Sequence, residues 1–525
     1  MQTKKFLKQN AVQASLIFMA AAVISRLLGL ARDMLFSAYF GTTHAADALN
    51  ATFPITSVTL NITASAIAVS FIPLYIEKLN KNREEALNDL SIVFNYIVAG
   101  LFIFMVLLIA FSLPLVHIFT PGFKSSELIL ITAHLIDLFA ITSFMWGIAN
   151  FLYAVAQAEK HFLITAIVAL ILNTSIIIFL ILFHNSLGVA SYAVGMLFGA
   201  FLQSAIMLIY EKLELGMKFT FNFNPKGTIL PMLIYLSTPL IVQQLATYTV
   251  TVVSNNVASS LREGSIAALG YANKLRQFSL GVLTVPLATS YYPFLSEAAS
   301  KKDYEKLEEI FSKSIRFASF FIIPVTFISI VFSKQIVAIV FQRGAFNLTA
   351  VNLTASPFAY YSIGIFAAMV SIVIMRVFFA MKDMWTPTIL TIISASINIA
   401  IINPLVHLYQ HSGIALAVSI GLYIDMLFLM IFMKKKIGTL GNKKIIYSII
   451  KLTLGSIAGI IVMYFSYIKL SNLFPKTNLY VAINLTGTFI LFSIVYVLSL
   501  KVLKAEEITT AYFVLKKSLA KFKRY

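Results

Sequence analysis

The 525-residue chain contains no cysteine, which excludes disulfides, thiolate metal centres and cysteine nucleophiles. Charge is also scarce. Asp, Glu, Lys and Arg make up 12% of the residues, against about 25% in an ordinary soluble domain. So few charges cannot cover a soluble surface of this size, and a soluble enzyme is excluded. Acids are scarcest, with 21 Asp+Glu against 40 Lys+Arg and a net charge of +19. The seven histidines show no His-Glu-x-x-His spacing, and the chain has no Walker A loop. No resident metal, no cofactor and no ATPase domain are expected, so energy for any transport must come from ion gradients, the membrane potential or mass action. What is plentiful is apolar sequence, with 59% hydrophobic residues and a mean hydropathy of +0.88. That balance excludes a disordered chain and defines a polytopic membrane protein.

A helix needs about 20 mostly apolar residues to cross the hydrocarbon core, and by that rule the chain holds about 14 candidate transmembrane helices. Runs such as 92–111 are continuously apolar, without the alternation of a barrel strand, so the fold class is an all-α polytopic membrane protein. Basic residues crowd into alternate loops. The richest are Lys434, Lys435 and Lys436 with Lys443 and Lys444, the stretch 301–316, and the tail 516–524. The opposite loops carry few, which puts both termini in the cytoplasm under the positive-inside rule. Topology therefore accounts for the positive charge, and no nucleic-acid partner is expected. Nor is a removable signal peptide: Lys4, Lys5 and Lys8 precede an apolar run that leads into Arg26 and Arg32 rather than a small-residue cleavage site.

Sliding the chain on itself by 220 residues brings Ser70, Pro73 and Glu77 onto Ser290, Pro293 and Glu297. The offset carries span 2 (48–76) onto span 8 (266–296). That is an even number of spans, so both halves point the same way. The expected architecture is two parallel-repeat six-helix lobes, 1–210 and 211–436, with a substrate site between them. Residues 437–525 add spans 13 and 14 and the basic cytoplasmic tail.

Ionisable residues inside a span are costly, and a functional role is their default reading. Span 1 (12–40) carries Arg26, Arg32 and Asp33. Arg26 and Asp33 lie nearly two turns apart on one face, about 10 Å along the axis, while Arg32 points elsewhere. An anion clamp is one account of this trio, and a structural Arg–Asp network is the other. Span 8 opens with Tyr271-Ala-Asn-Lys274-Leu-Arg276, and span 10 holds Arg376 seven residues before Asp383. Snorkelling to the outer surface competes as an account of Lys274 and Arg276, and pairing between helices as an account of Arg376. Basic residues gathered between helical bundles fit an anionic substrate, because the guanidinium fork matches phosphate oxygens. Among the acids, Asp47 starts span 2, Asp137 lies in span 4 and Asp425 lies in span 12. Asp425, with Asn398 and Asn403 of span 11, is the candidate for coupling to Na+ or a proton; a buried, hydrogen-bonded acid is the alternative.

Ser25-Arg-Leu-Leu-Gly-Leu-Ala-Arg-Asp33, then Phe40-Gly and Ala46-Asp47-Ala48, resembles the MurJ (MviN) family. The likeness continues in Glu263-Gly-Ser-Ile-Ala-Ala-Leu-Gly-Tyr-Ala-Asn-Lys-Leu, Phe341-Gln-Arg-Gly-Ala-Phe346, Arg376-Val-Phe-Phe-Ala-Met-Lys-Asp-Met-Trp-Thr-Pro387 and Gly413-Ile-Ala-Leu-Ala-Val-Ser. Members are lipid II flippases of bacterial peptidoglycan synthesis, within the multidrug/oligosaccharidyl-lipid/polysaccharide exporter superfamily. The resemblance implies two six-helix lobes plus two extra helices that form a groove for the undecaprenyl tail. It implies alternating access in the bacterial inner membrane, carrying an undecaprenyl-pyrophosphate sugar to the outer leaflet. Membrane lipids and cell-wall synthesis proteins are the implied partners. It matches the family's cavity residues to Arg26, Arg32, Asp33 and Asp47, and to Lys274 where the family has Arg; Arg276 and Arg376 join them as candidate substrate-binding residues.

The chain also departs from the family. After Pro54 the family reads Asn, Arg and Glu-Gly-Ala, whereas this chain reads Ile55-Thr-Ser-Val-Thr-Leu-Asn-Ile-Thr-Ala-Ser-Ala66. Asn273 stands where the family usually has Asp, and Ser254 where its sodium site has an acid. A divergent member exporting another polyprenyl-linked glycan is therefore one alternative. A drug exporter of the same superfamily is a second, and it expects an acidic or aromatic cavity for cationic drugs. A membrane-embedded glycosyltransferase would need a catalytic acid near a long outer loop. The outer loops are short, so a transporter and not an enzyme is expected. A scaffold that keeps the fold without transport is the remaining reading.

Overall fold

The computed structural model describes residues 11–217, 219–438, 440, 442–472 and 477–509. The lysines at 4, 5 and 8 and the basic tail 516–524 lie outside the described residues. Among the described residues there are helices and turns but no strand. The chain runs through α1 (Ala11–Phe40), α2 (His44–Thr52), α3 (Pro54–Asn61), a π-helical turn at Ile62–Ile67, α4 (Ala68–Lys81), α5 (Arg83–Ala110), α6 (Ser112–Phe119), α7 (Ser126–Ala158), α8 (Phe162–Leu187), α9 (Ala190–Leu213) and α10 (Leu230–Ser259). It continues through α11 (Ser265–Ser300), α12 (Tyr304–Val331), α13 (Ser333–Phe341), α14 (Leu348–Ile363), α15 (Ile365–Ala380), α16 (Trp385–Tyr409), α17 (His411–Ile437), α18 (Asn442–Ser471) and α19 (Asn478–Val502).

Ten described helices are long and apolar enough to cross a membrane, or twelve when two bent pairs each count as one span. The bends are 41° within α11 and 43° between α14 and α15. Helix α1 and the broken series α2–α4, expected as spans 1 and 2, fall outside that count, so the described helices stop short of the expected number. Span 2 is broken for local reasons. Pro54 opens α3, where its missing N–H costs nothing, and the π turn interrupts the α-helical hydrogen-bond ladder.

The internal repeat reappears as architecture. Pro73 lies inside α4 and Pro293 inside α11. Glu77 pairs with Lys81 at 2.7 Å, and Glu297 pairs with Lys301 at 2.6 Å. One residue later in the first half and two in the second, a polar side chain caps the next long helix. Asn82 accepts from the N–H groups of Glu84 and Glu85, and Asp303 accepts from that of Lys306. Such caps satisfy donors that a helix start leaves unpaired. Phe111 and Phe332 end these helices, and a short helix follows each, α6 and α13. Lys160 and Lys382, both with positive φ, turn the chain into α8 and α16.

By packing, the chain forms two compact units, one up to Ala267 with Arg343–Phe346, the other Ala268–Gln342 and from Asn347 onward. The first is centred on Phe71, Tyr75, Phe151, Leu152 and Val155. The second is centred on Phe311, Ile322, Met369, Phe378 and Leu429. Helices α18 and α19 belong to it, packing Leu452, Met463, Phe492 and Leu500 against Ile323 and Phe332. The Tyr496 hydroxyl donates to the Phe320 carbonyl at 2.9 Å there. The repeat boundary after residue 210 opens the second lobe with α10, whereas packing groups α10 with the first unit. The cause is polar: the Asn255 amide donates to Ala51 O at 3.3 Å and the Asn256 amide to Ile118 O at 2.7 Å.

Candidate cation sites within the two units

In the first unit, α1 presents Arg26 and Arg32. Arg32 turns back on its neighbour: Nε and Nη2 donate to Asp33 Oδ1 at 3.2 and 3.1 Å, and Nη2 also reaches Oδ2 at 3.3 Å. Its Nη1 donates to Asn173 Oδ1 on α8 at 3.0 Å, and the Asn173 amide donates to Ser25 O at 3.1 Å. The Tyr192 ring of α9 lies 5.5 Å from the guanidinium. The expected partnership of Arg26 with Asp33 is thus replaced by one between sequence neighbours. A long guanidinium stem can wrap around the helix, which axial spacing alone does not reveal. Arg26 is half-buried and has no ion-pair partner among the described residues.

Asp47, expected among the substrate contacts, is engaged by backbone in this conformation. It is 3% exposed, and its Oδ2 and Oδ1 accept the N–H groups of Gly264 and Ala267, each at 2.7 Å. Those donors open α11, so the carboxylate caps a helix N-terminus, where negative charge is favoured. Gly264 has φ +82°, and a Cβ there would stand 2.4 Å from Thr42 O. Only glycine fits this approach.

In the second unit the cations have different company. On α11, Arg276 donates from Nε and Nη2 to Asn273 Oδ1 at 3.1 and 2.8 Å, and lies 5.3 Å from the Tyr361 ring of α14. Lys274 sits 5.5 Å from the Tyr271 ring. On α15, Arg376 sits 5.5 Å from the Tyr292 ring. Arg276 and Arg376 have no carboxylate partner among the described residues. Arg376 does not pair with Asp383, seven residues on. Asp383 instead takes the Lys436 ammonium and accepts the Thr386 N–H at 3.0 Å. Burial alone would raise the Asp383 carboxyl, but Lys436 and the Thr386 hydrogen bonds win and hold it below the usual range. Tyr292 lies roughly 20 Å along α11 from Arg276, so the structure does not bring Arg376 into one clamp with Lys274 and Arg276.

The candidate coupling trio is only partly assembled. Asp425 of α17 is 7% exposed and accepts from the Thr391 hydroxyl of α16 at 3.3 Å. Asn398 lies about two turns beyond Thr391 on α16, its amide donating to Ala417 O at 3.1 Å while Oδ1 is buried without a partner among the described residues. Gly421 makes room for it, since a Cβ there would stand 2.2 Å from Asn398 Nδ2. Asn403 is exposed and does not join them, because five residues along a helix is well past a whole turn. Ser254 spends its hydroxyl on Val250 O of its own helix at 2.7 Å.

The sequence reading did not name Asn173, Tyr192, Tyr292 or Tyr361, and it named Asn273 only as a departure from the family. A signal was present for two of them. Asn173 interrupts the apolar run of α8, and Asn273 stands one turn before Arg276.

The arrangement of helices matches that of solved transporters. An inward-facing multidrug resistance MATE family transporter of the MOP superfamily aligns with a TM-score of 0.69 at 14% identity, covering 81% of this chain and 99% of that one. A lipid II flippase MurJ in an inward closed conformation aligns with a TM-score of 0.78 at 24% identity, covering 93% and 99%. The chain therefore has the all-helical fold that these proteins share. Within that class, the lipid II flippase MurJ family model matches residues 36–507, and the chain belongs to that family. A probable lipid II flippase MurJ from Rickettsia prowazekii is 27% identical over 428 residues, 79% of this chain and 82% of the relative.

Proposed function

We propose that this protein carries lipid II, the undecaprenyl-pyrophosphate-linked peptidoglycan precursor, from the inner to the outer leaflet of the bacterial cytoplasmic membrane. The family supports this substrate. The observation that carries the reading at residue level is the set of guanidinium groups inside apolar helices with no neutralising carboxylate: Arg26, Arg276 and Arg376. An unpaired cation in such surroundings is expensive and is retained where an anion visits it. Asn273 occupies the Nε and Nη2 edge of Arg276 and leaves Nη1 for a phosphate oxygen. Lys274 adds a point charge one turn from Tyr271. Arg376 of α15, beside Tyr292 farther along α11, meets the headgroup at a separate station. Arg32 and Asp33 shape α1 around Arg26 and do not bind the headgroup in this conformation.

The protein catalyses no bond chemistry in this reading, and both termini lie in the cytoplasm. Differential affinity of two conformations for the headgroup drives the cycle, reset by the membrane potential or an ion gradient. Asp425, with Thr391 and Asn398, is the proposed Na+ site. Lipid II and membrane lipids are the immediate partners, and cell-wall synthesis proteins consume the delivered precursor.

The test is complementation of a flippase-depleted bacterium combined with a leaflet assay for lipid II. The wild-type chain restores growth and outer-leaflet lipid II, and Arg26→Ala inserts normally but restores neither. Rescue of a surface-polysaccharide defect instead of lipid II transport would replace this reading with export of another polyprenyl-linked glycan.

A further inference from the structure

At the start of α5 and the ends of α4, α7 and α9, the first unit holds a cluster of ionisable groups that the lipid reading does not use. Glu159, just past α7, is fully engaged. It accepts from the Tyr75 hydroxyl of α4 at 2.9 Å and from Arg83 Nη1 at the start of α5 at 3.0 Å. Arg83 Nη2 donates onward to Leu215 O at 3.1 Å. Glu211 of α9 is the opposite case. It is 0% exposed, and neither carboxyl oxygen meets a donor among the described residues. Tyr75 and Tyr210 both lie within the fields of Glu159 and Glu211. Of the remaining neighbours, Glu214 adds a second negative charge beside Tyr210. His161, at the head of α8, is bound to the Tyr210 hydroxyl at 2.5 Å through Nδ1.

The charge balance identifies the missing ligand. Arg83 is already committed to Glu159, and among the described residues no second cation reaches Glu211. An ionised carboxylate, fully desolvated and beside another carboxylate, costs several kcal/mol. A metal ion would need several oxygens converging on one point, and no group of three or more candidate ligand side chains occurs among the described residues. A single proton on Glu211 removes the buried charge, leaving a neutral carboxyl that is far cheaper to bury. We propose that Glu211 is a proton-binding site, occupied in this conformation, and that the proton allows α9 to stay packed against α7 beside Glu159. When the proton leaves, two adjacent carboxylates share one arginine, and these helix ends are driven apart. Neutral Glu211 belongs to the closed packing, and ionised Glu211 to a loosened one.

The test does not require lipid II transport and stands or falls separately from it. Infrared spectra of the full chain in lipid are recorded across a pH titration. The wild type shows a protonated-carboxyl C=O band at neutral pH that disappears as pH rises. Glu211→Gln, which mimics the neutral acid in size and shape, keeps the fold and loses the band. Glu159→Gln removes the neighbouring charge, so the Glu211 band vanishes at a pH lower by about one unit. A role in packing alone would not move that midpoint. The proposal is overturned by absence of the band at neutral pH, by its survival in Glu211→Gln, or by an unchanged midpoint in Glu159→Gln. It is equally overturned if adding Na+ at constant pH abolishes the band, which would make the occupant a metal cation.

Discussion

The two units hold their buried cations in different ways. In the first, Arg32 sits against Asp33, with Asn173 and Tyr192 completing its surroundings. In the second, Arg276 and Arg376 rest on an amide and on tyrosine rings. The second unit does use carboxylates where cations are structural, as in Arg316 with Glu506 and Glu507, and Lys436 with Asp383. Its bare arginines are therefore exceptions within their own unit. A cation on a π-face or an amide keeps most of its charge, at a contact worth about 0.5–2 kcal/mol. A cation paired with a carboxylate gives that charge up. The contrast separates a cation neutralised within the helix bundle from cations that keep their charge, which is the property the proposed headgroup site requires.

The strongest way to break this contrast is to remove Asp33. If the pair is structural, Asp33→Ala leaves Arg32 with a desolvated, unmatched charge. Stability then falls by about 3–5 kcal/mol, toward the lower end because Arg32 retains 14% side-chain exposure. The double change Arg32→Met with Asp33→Leu recovers most of the loss, since an apolar pair needs no partner. Thermal unfolding of the purified protein measures both. A wild-type melting profile for Asp33→Ala together with lost lipid II transport would place Arg32 among the binding groups and erase the difference between the units.

The opposite outcome is expected at Arg276. Here no carboxylate is orphaned by truncation, so Arg276→Ala should melt at or slightly above the wild-type temperature. Transport should fall about tenfold to a hundredfold, the equivalent of one charge-assisted hydrogen bond at about 1.5–3 kcal/mol. Outer-leaflet lipid II measured alongside the melting curve gives both numbers from one preparation. An unstable but fully active variant would show that Arg276 belongs with the structural cations.

Much of this was legible in the sequence, and what was not shares a cause. The apolar runs, the position of each candidate arginine and the Ser-x-x-Pro-x-x-x-Glu repeat all depend on short-range pattern. The repeat even predicts paired details such as Glu77–Lys81 and Glu297–Lys301. The rest needed knowledge of distant chain. Asp47 reads as a span-start acid, and its true partners are the N–H groups of Gly264 and Ala267. Asn403 shares a helix with Asn398 but not its buried face. Glu211 draws no reading from the sequence at all, and only the folded unit reveals that neither of its carboxyl oxygens meets a partner among the described residues. Hydropathy finds helices, whereas the partner of a buried charge is decided by packing.

The smallest expected effect concerns Asp383 and Lys436, which serve as the paired control inside the second unit. The Asp383 carboxyl is held below its ordinary range despite burial, because Lys436 and Thr386 stabilise its charged form. A depressed acid contributes stability that is present above the pKa of the unfolded chain, about 3.9. That contribution is lost as pH falls through the lower value of the folded state. The wild type should therefore lose a small increment of melting temperature between about pH 4 and the acid limit, and Asp383→Asn should lack that step. At neutral pH the variant should cost less than about 1 kcal/mol, because Lys436 remains close to half exposed and water screens the pair. Melting curves at pH 7 and below pH 4 decide it. A large loss at pH 7 would mean that this peripheral pair is as integral as Arg32 with Asp33, and that exposure, not pairing, distinguishes the cations of the two units.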